Sequence, residues 1–109
     1  WRNCLSEPGR STGRVLFEAA LEGGARALDR GPVGLRPGAS ADLVVLDADH
    51  PDLSGRGEDR LLDGWIFCAG KGAVREVRVR GRRVVEAGRH VAKDAILFGY
   101  RATLARLLA

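Results

Sequence analysis

Apolar side chains recur at helical spacing in three stretches of the chain. In residues 11–29 they recur every three or four positions, and Ser11 or Thr12 can cap the start of a helix. Residues 58–69 and residues 92–108 show the same period. The apolar positions of these two stretches are Leu61, Leu62, Trp65, Ile66 and Ala69, and then Ile96, Leu97, Tyr100, Leu104, Leu107 and Leu108. The pattern therefore predicts helices at about 11–29, 58–69 and 92–108.

Two further stretches have the character of β-strands. Residues 42–47 hold the continuous apolar run 43–46, which is typical of a strand covered on both faces. In residues 73–87, Val77 and Val79 alternate with arginines, as expected for a hairpin with one face in solvent and a glycine at its turn. The sequence thus predicts an α+β fold, with a strand at 42–47, a hairpin at 73–87 and three flanking helices.

Glycines lie within the first predicted helix and just after the second. Gly23 and Gly24 lie inside the first helix, where each costs about 1 kcal/mol relative to alanine. We expect such glycines where another backbone packs close to the helix. Gly70 and Gly72 suit the C-terminal cap of the second helix.

The length and the charge of the chain limit the kinds of protein to which it can belong. A chain of 109 residues fits one domain at most, with one modest core. The net charge is +4, and six arginines gather in and beside the hairpin: Arg75, Arg78, Arg80, Arg82, Arg83 and Arg89. Such a ribbon can follow phosphates, but exposed strands also use charge to prevent edge-to-edge aggregation, and no aromatic residue is interleaved. A stand-alone basic module that binds nucleic acid is therefore an alternative, and nucleic acid is not the expected partner.

Acidic residues crowd around the apolar run of residues 43–46. They are Asp42, Asp47, Asp49 and Asp52, with His50 among them. A calcium loop that starts at Asp47 would have proline at its fifth position and would lack glycine at its sixth. Zinc needs three or four converging ligands, and neither histidine of the chain belongs to an HxH or HExxH motif. We expect these acids to flank a strand and to remain solvated.

The two cysteines do not suggest chemistry. Cys4 and Cys68 form no CxxC pair, so we expect two free thiols in a cytoplasmic protein. Cys68 falls on the apolar side of the second predicted helix, and we expect a buried, inert thiol there. The sequence has no GxSxG elbow, and we expect no signal peptide or membrane span. Because the chain contains no methionine, we also expect that Trp1 is not a translation start. We therefore expect either that the initiator was removed together with other residues or that this is a piece of a longer protein.

Two stretches in this order resemble the amidohydrolase superfamily. GLRPGASADLVVLD (34–47) resembles the segment that returns the chain to the small β-sandwich of those enzymes, and VREVRVRGRRVVEAG (74–88) resembles the hairpin that ends the sandwich. Three other stretches are similar to the formimidoylglutamate deiminase branch: residues 11–28, 49–70 and 88–109. An alternative within the superfamily is the tail of another deaminase or imidase.

The resemblance implies a fold and a role. The parent would be a (β/α)8 barrel with a β-sandwich, in which residues 1–30 supply the last barrel-flanking helix and residues 31–109 the C-terminal part of the sandwich and a terminal helix. It would hydrolyse N-formimino-L-glutamate to N-formyl-L-glutamate and ammonia, in histidine degradation. Its zinc ligands would all lie before Trp1, so no catalytic, cofactor-binding or metal-binding residue is expected in this chain. The chain itself should be structural and inactive.

The same resemblance implies partners. The missing barrel and the N-terminal strands of the sandwich would cover this chain in the parent. In their absence, exposed edges should favour a homo-oligomer.

Overall fold

The computed structural model describes Leu5 and residues 8–109. Its helices are α1 (Thr12–Ala27), α2 (Asp59–Gly64) and α3 (Lys93–Leu108). Its strands are β1 (Leu43–Leu46), β2 (Val74–Val79), β3 (Arg82–Glu86) and β4 (Arg89–His90). The strands form one antiparallel sheet in the order β1-β2-β3-β4. The predicted α+β class, the strand and the hairpin are confirmed.

Helix α1 begins at the predicted cap. Ser11 is extended, and its Oγ accepts a hydrogen bond of 3.1 Å from the backbone N–H of Arg14. A capping hydroxyl of this kind contributes about 1 kcal/mol to helix stability. The prediction for Gly23 and Gly24 is wrong, because no described atom lies within 4 Å of where a Cβ of either would be. This side of α1 is open in the chain.

The second predicted helix is broken into three parts. Regular α-helix covers only Asp59–Gly64, and it continues as a π-helical turn at Trp65–Ala69 and a 3₁₀ turn at Gly70–Ala73. The wider π turn moves side chains away from the positions that a 3.6-residue period would give them. Trp65 still packs on α1, with its ring 5.9 Å from that of Phe17.

The hairpin turns at two residues with positive φ. Arg80 and Gly81 have φ values of 50° and 78°, which suit the tight turns that match the twist of paired strands. A second turn of this type at Ala87 and Gly88 leads into β4, which the sequence pattern did not predict. A strand of two residues is too short to show alternation.

Strand β1 lies at one edge of the sheet and is shorter than predicted. Its continuous apolar run indicated cover on both faces, but the side chain of Val44 is 50% exposed. The prediction is therefore wrong for the part of the chain that the structure describes. One face of β1 is apolar and open.

The chain buries few of its apolar side chains. Leu53 and Ala73 are the buried hydrophobic residues among those described. The accessible surface of 8753 Å² exceeds the roughly 5,900 Å² expected for a compact protein of this mass. The radius of gyration, 17.6 Å, likewise exceeds about 13 Å for a compact domain of this length. Much apolar surface thus lies open.

Among the described residues, no helix combines the length and the apolar character that crossing a membrane requires.

Candidate functional site

The acidic residues around β1 bind backbone amides of their own surroundings. A carboxylate oxygen of Asp47 accepts from the N–H of Asp49 at 3.1 Å, and Nδ1 of His50 accepts from the N–H of Asp52 at 3.3 Å. Asp42 accepts from the N–H of Arg80 at 2.7 Å. Within residues 8–109 and Leu5, no group of three or more His, Cys, Asp and Glu side chains could hold a metal ion. The residues described here do not fit a catalytic metal.

Asp42 joins the start of β1 to the hairpin turn. The N–H of Arg80 beside it, and then the hydroxyl of Ser40, hold the pKa of this carboxyl below its ordinary value. A second link runs from the N–H of Gly81 to the carbonyl of Ala41 at 2.8 Å. These bonds fix the turn against the edge strand.

The most connected polar cluster is the α1–α2 junction, which consists of Ser11, Gly13, Arg14, Asp59 and Asp63. Asp59 accepts a hydrogen bond of 3.1 Å from the N–H of Ser11, and it also pairs with the guanidinium of Arg14. Asp63 accepts one of 2.7 Å from the N–H of Gly13. Two carboxylates of α2 therefore satisfy N–H groups at the start of α1, where the helix dipole favours negative charge.

Close packing accompanies these bonds in the junction. Gly13 is buried, and a Cβ on it would lie 2.5 Å from a carboxylate oxygen of Asp63 and 2.9 Å from the backbone nitrogen of that residue. Only glycine lets the two helices approach so closely. The geometry suits a rigid joint, because the N–H groups of Ser11 and Gly13 and the guanidinium of Arg14 already have carboxylate partners within the chain.

The junction lowers the pKa of Asp59. The backbone N–H of Ser11 is the main cause and the guanidinium of Arg14 the second, since both stabilise the charged carboxylate. A carboxyl whose pKa is depressed in the folded state stabilises the fold above its unfolded pKa. That stabilisation is lost as the pH falls through the folded value.

We therefore expect Asp59→Asn to lower the urea midpoint of the chain near pH 7 and to make it less dependent on pH between pH 6 and pH 3. The charge that acid removes from the wild type is already absent from this variant. Urea titrations followed by circular dichroism at several pH values test this. Asp49→Asn, in the exposed loop after β1, is the matched control and should keep the wild-type slope. An Asp59→Asn midpoint that falls with acid as steeply as that of the wild type would contradict the prediction.

Several arginines of the basic hairpin are ion-paired. Glu76 on β2 pairs with Arg78 and, at 3.3 Å, with Arg83, which also reaches Glu86 at 2.6 Å. The hydrogen bond from Arg78 is the main cause of a lowered pKa at Glu76. Arg89 pairs with Asp94 at the start of α3. Half of the six arginines thus meet carboxylates on their own or neighbouring elements, which disfavours a surface built for phosphates.

Of the two cysteines that were predicted to be free thiols, Cys68 lies in the described part of the chain. Cys68 is free and exposed, so the expected burial is wrong. The π turn at Trp65–Ala69 carries this side chain to the outside, because its register departs from that of a regular helix. Cys4 lies outside the described residues.

An open groove of about 630 Å³ lies between the end of α1 and the connection to β1. Its apolar lining includes Leu21, Leu28, Pro32 and Val33. Like the exposed face of β1, it is an apolar surface that other residues of a larger protein could cover.

No known protein-family profile matches the chain. Formimidoylglutamate deiminase from Pseudomonas aeruginosa is 44% identical over 97 residues, which are 88% of this chain and 21% of that protein. A crystal structure of an amidohydrolase from Brucella melitensis superposes with a TM-score of 0.82 at 43% identity, over 100% of this chain and 24% of that one. The chain belongs to the amidohydrolase superfamily.

A second relative extends the comparison. 5-methylthioadenosine/S-adenosylhomocysteine deaminase 1 from Archaeoglobus fulgidus is 32% identical over 76% of this chain and 19% of its own length. The chain thus spans about a fifth of the length of the curated relatives it matches. It fits a C-terminal segment of an amidohydrolase that is like formimidoylglutamate deiminase, which confirms the resemblance drawn from its motifs.

The junction was only partly foreseen from the sequence. The pattern assigned Asp59 to the first turn of its own helix, where it does lie. It did not indicate that Asp59 and Asp63 bind the start of α1, nearly 50 residues earlier. The capping residue Ser11 was a local signal, but nothing local identifies partners so distant.

Proposed function

We propose that this chain is the C-terminal segment of a metal-dependent amidohydrolase that hydrolyses N-formimino-L-glutamate to N-formyl-L-glutamate and ammonia. The observation that carries the proposal is the 44% identity to formimidoylglutamate deiminase across 88% of the chain. The 5-methylthioadenosine/S-adenosylhomocysteine deaminase matches less of the chain and at lower identity. The reaction would serve histidine degradation.

The segment's own role in that protein is structural. Its exposed β1 face and the groove beside α1 would be covered by the barrel and by the remaining strands of a β-sandwich, which are the partners that we propose. The α1–α2 junction would hold the helix of the barrel layer against the sandwich. Support comes from the large open apolar surface and from bonds that tie the two parts of the segment together.

The chain alone should not catalyse the reaction. Zinc, the cofactor that we propose for the whole protein, would be bound by residues outside this chain. Asp42, Asp47 and Asp63 are engaged with backbone N–H groups, and no three potential metal ligands of the described part converge. Substrate selection would likewise lie with residues outside the segment.

A segment exchange tests both parts of the proposal. The matching 97-residue region of the Pseudomonas deiminase is replaced by this chain, and ammonia release from N-formimino-L-glutamate is followed. We expect kcat/KM within about tenfold of the unmodified enzyme, because a supporting segment leaves the reacting groups in place. The isolated chain, assayed at the same concentration with added zinc, should release no ammonia.

A second exchange is the matched control. The corresponding segment of the Archaeoglobus deaminase, inserted at the same boundaries, should support less activity, since it comes from a 5-methylthioadenosine/S-adenosylhomocysteine deaminase and not from a formimidoylglutamate deiminase. Turnover by the isolated chain would overturn the structural role. A folded chimera with this chain that is no more active than the Archaeoglobus control would overturn the assignment to the formimidoylglutamate branch.

A further inference from the structure

Helix α3 exposes a broad apolar surface. None of its 16 residues is buried. At 100° per residue, six large side chains fall within a sector of about 120°. They form the α3 stripe: Ile96, Leu97, Tyr100, Leu104, Leu107 and Leu108. Their exposed fractions run from 38% to 78%, so this stripe is in water along its whole length.

The positions of the α3 stripe are symmetric about Ala102. Two adjacent apolar residues lie five and six positions before it, and two lie five and six positions after it. Tyr100 and Leu104 lie two positions to either side. A second α3 laid antiparallel, with its midpoint at the same level, therefore meets apolar residues at every layer. Ile96 and Leu97 of one copy contact Leu107 and Leu108 of the other, and Tyr100 contacts Leu104.

Charges agree with this arrangement. Lys93 lies one helical turn before the α3 stripe and on the same face of the helix as the middle of the stripe. In the antiparallel pair it therefore reaches the C-terminal turn of the opposite helix, where the helix dipole favours a cation. Antiparallel helices also place opposite dipole ends together. A parallel pair would instead bring the two sheets to the same end, because β4 directly precedes α3. Arg101 lies at the edge of the stripe and stays in solvent in both copies.

We propose that the α3 stripe is an antiparallel, two-fold symmetric docking surface for a second copy of this chain. The six side chains would bury on the order of 500 Å² per copy, about 1,000 Å² in total, which is near the low end for a specific interface. The dimer should therefore be weak, with a dissociation constant in the micromolar range. A two-fold interface of this kind uses the same residues on both partners.

Sedimentation of the 109-residue chain over a wide concentration range tests the surface. We expect a monomer–dimer equilibrium that Leu107→Glu weakens at least tenfold, because the carboxylate would be placed against apolar side chains. Ala102→Glu adds the same charge on the opposite side of α3 and should change the equilibrium less than twofold. Circular dichroism verifies that both variants keep their helix content.

Mixing two variants tests the register. Ile96→Lys and Leu107→Glu should each dimerise poorly alone, whereas their mixture should form a heterodimer, since lysine then meets glutamate across the antiparallel pair. A chain that remains monomeric overturns the proposal and leaves the stripe to the rest of a larger amidohydrolase. Three other results would also overturn the proposal. They are a dimer that is insensitive to Leu107→Glu, a dimer that Ala102→Glu disrupts equally, and a mixture of Ile96→Lys and Leu107→Glu that forms no heterodimer.

Discussion

Replacing Leu53 with alanine is expected to lower the free energy of unfolding by about 3 kcal/mol. This side chain is 1% exposed and is the largest fully buried one among the described residues. Its loop is closed by backbone hydrogen bonds from Leu53 N–H to the His50 carbonyl at 2.8 Å and from Arg56 N–H to the Leu53 carbonyl at 3.0 Å. The loop is thus poorly able to collapse into the space left by the missing carbons.

Urea denaturation followed by circular dichroism measures this effect. Leu35→Ala is the matched control, since Leu35 is 88% exposed and the same truncation there should change stability by less than about 0.5 kcal/mol. A loss of less than 1 kcal/mol for Leu53→Ala would mean that this small core contributes little to the fold.

Two glycines of the same helix should respond to alanine with opposite signs. Gly13→Ala is expected to destabilise the chain by about 2 kcal/mol, because the new Cβ would collide with the backbone of Asp63 and displace the hydrogen bond to its carboxylate. Gly24→Ala should stabilise by about 0.5 to 1 kcal/mol, because a Cβ there has open space and alanine favours the helix.

Urea midpoints of the two variants and of the wild type decide this comparison. The pair shares a helix and a substitution, so intrinsic helix propensity alone would raise both midpoints. Equal stabilisation by both changes would show that the α1–α2 junction is looser than the close approach of Gly13 to Asp63 implies.

Local signals in the sequence predicted most of the secondary structure. The Ser11 cap and the positive-φ turn at Gly81 depend on neighbours within a few residues, and both were foreseen. The π turn after Gly64 was not, because the same apolar spacing fits a regular helix of that length. Burial was also misjudged at Val44 and Cys68. An apolar run indicates that a surface needs cover, but it does not reveal whether the cover belongs to the same chain.

In the candidate site, too, contacts between neighbouring residues could be expected from the sequence, whereas contacts between distant residues could not. The solvated role expected for the acids after β1 agrees with the short-range bond from the N–H of Asp49 to Asp47, whereas Asp42 accepts from the N–H of Arg80, 38 residues later. The junction depends on pairs nearly 50 residues apart, such as Ser11 with Asp59, and these follow only from how the elements pack. Superfamily membership was accessible from the sequence because its motifs are contiguous.

The junction also sets how freely this region can change in length. Since α1 is anchored directly to α2, the exposed connection at residues 31–38 links parts that other contacts already hold in place. Each doubling of such a flexible loop costs only about 0.6 kcal/mol of closure entropy. Insertions and deletions there should accumulate readily among relatives. Differences in the length of that connection between relatives would then reflect neutral change in a connecting loop. They would carry little information about the substrate.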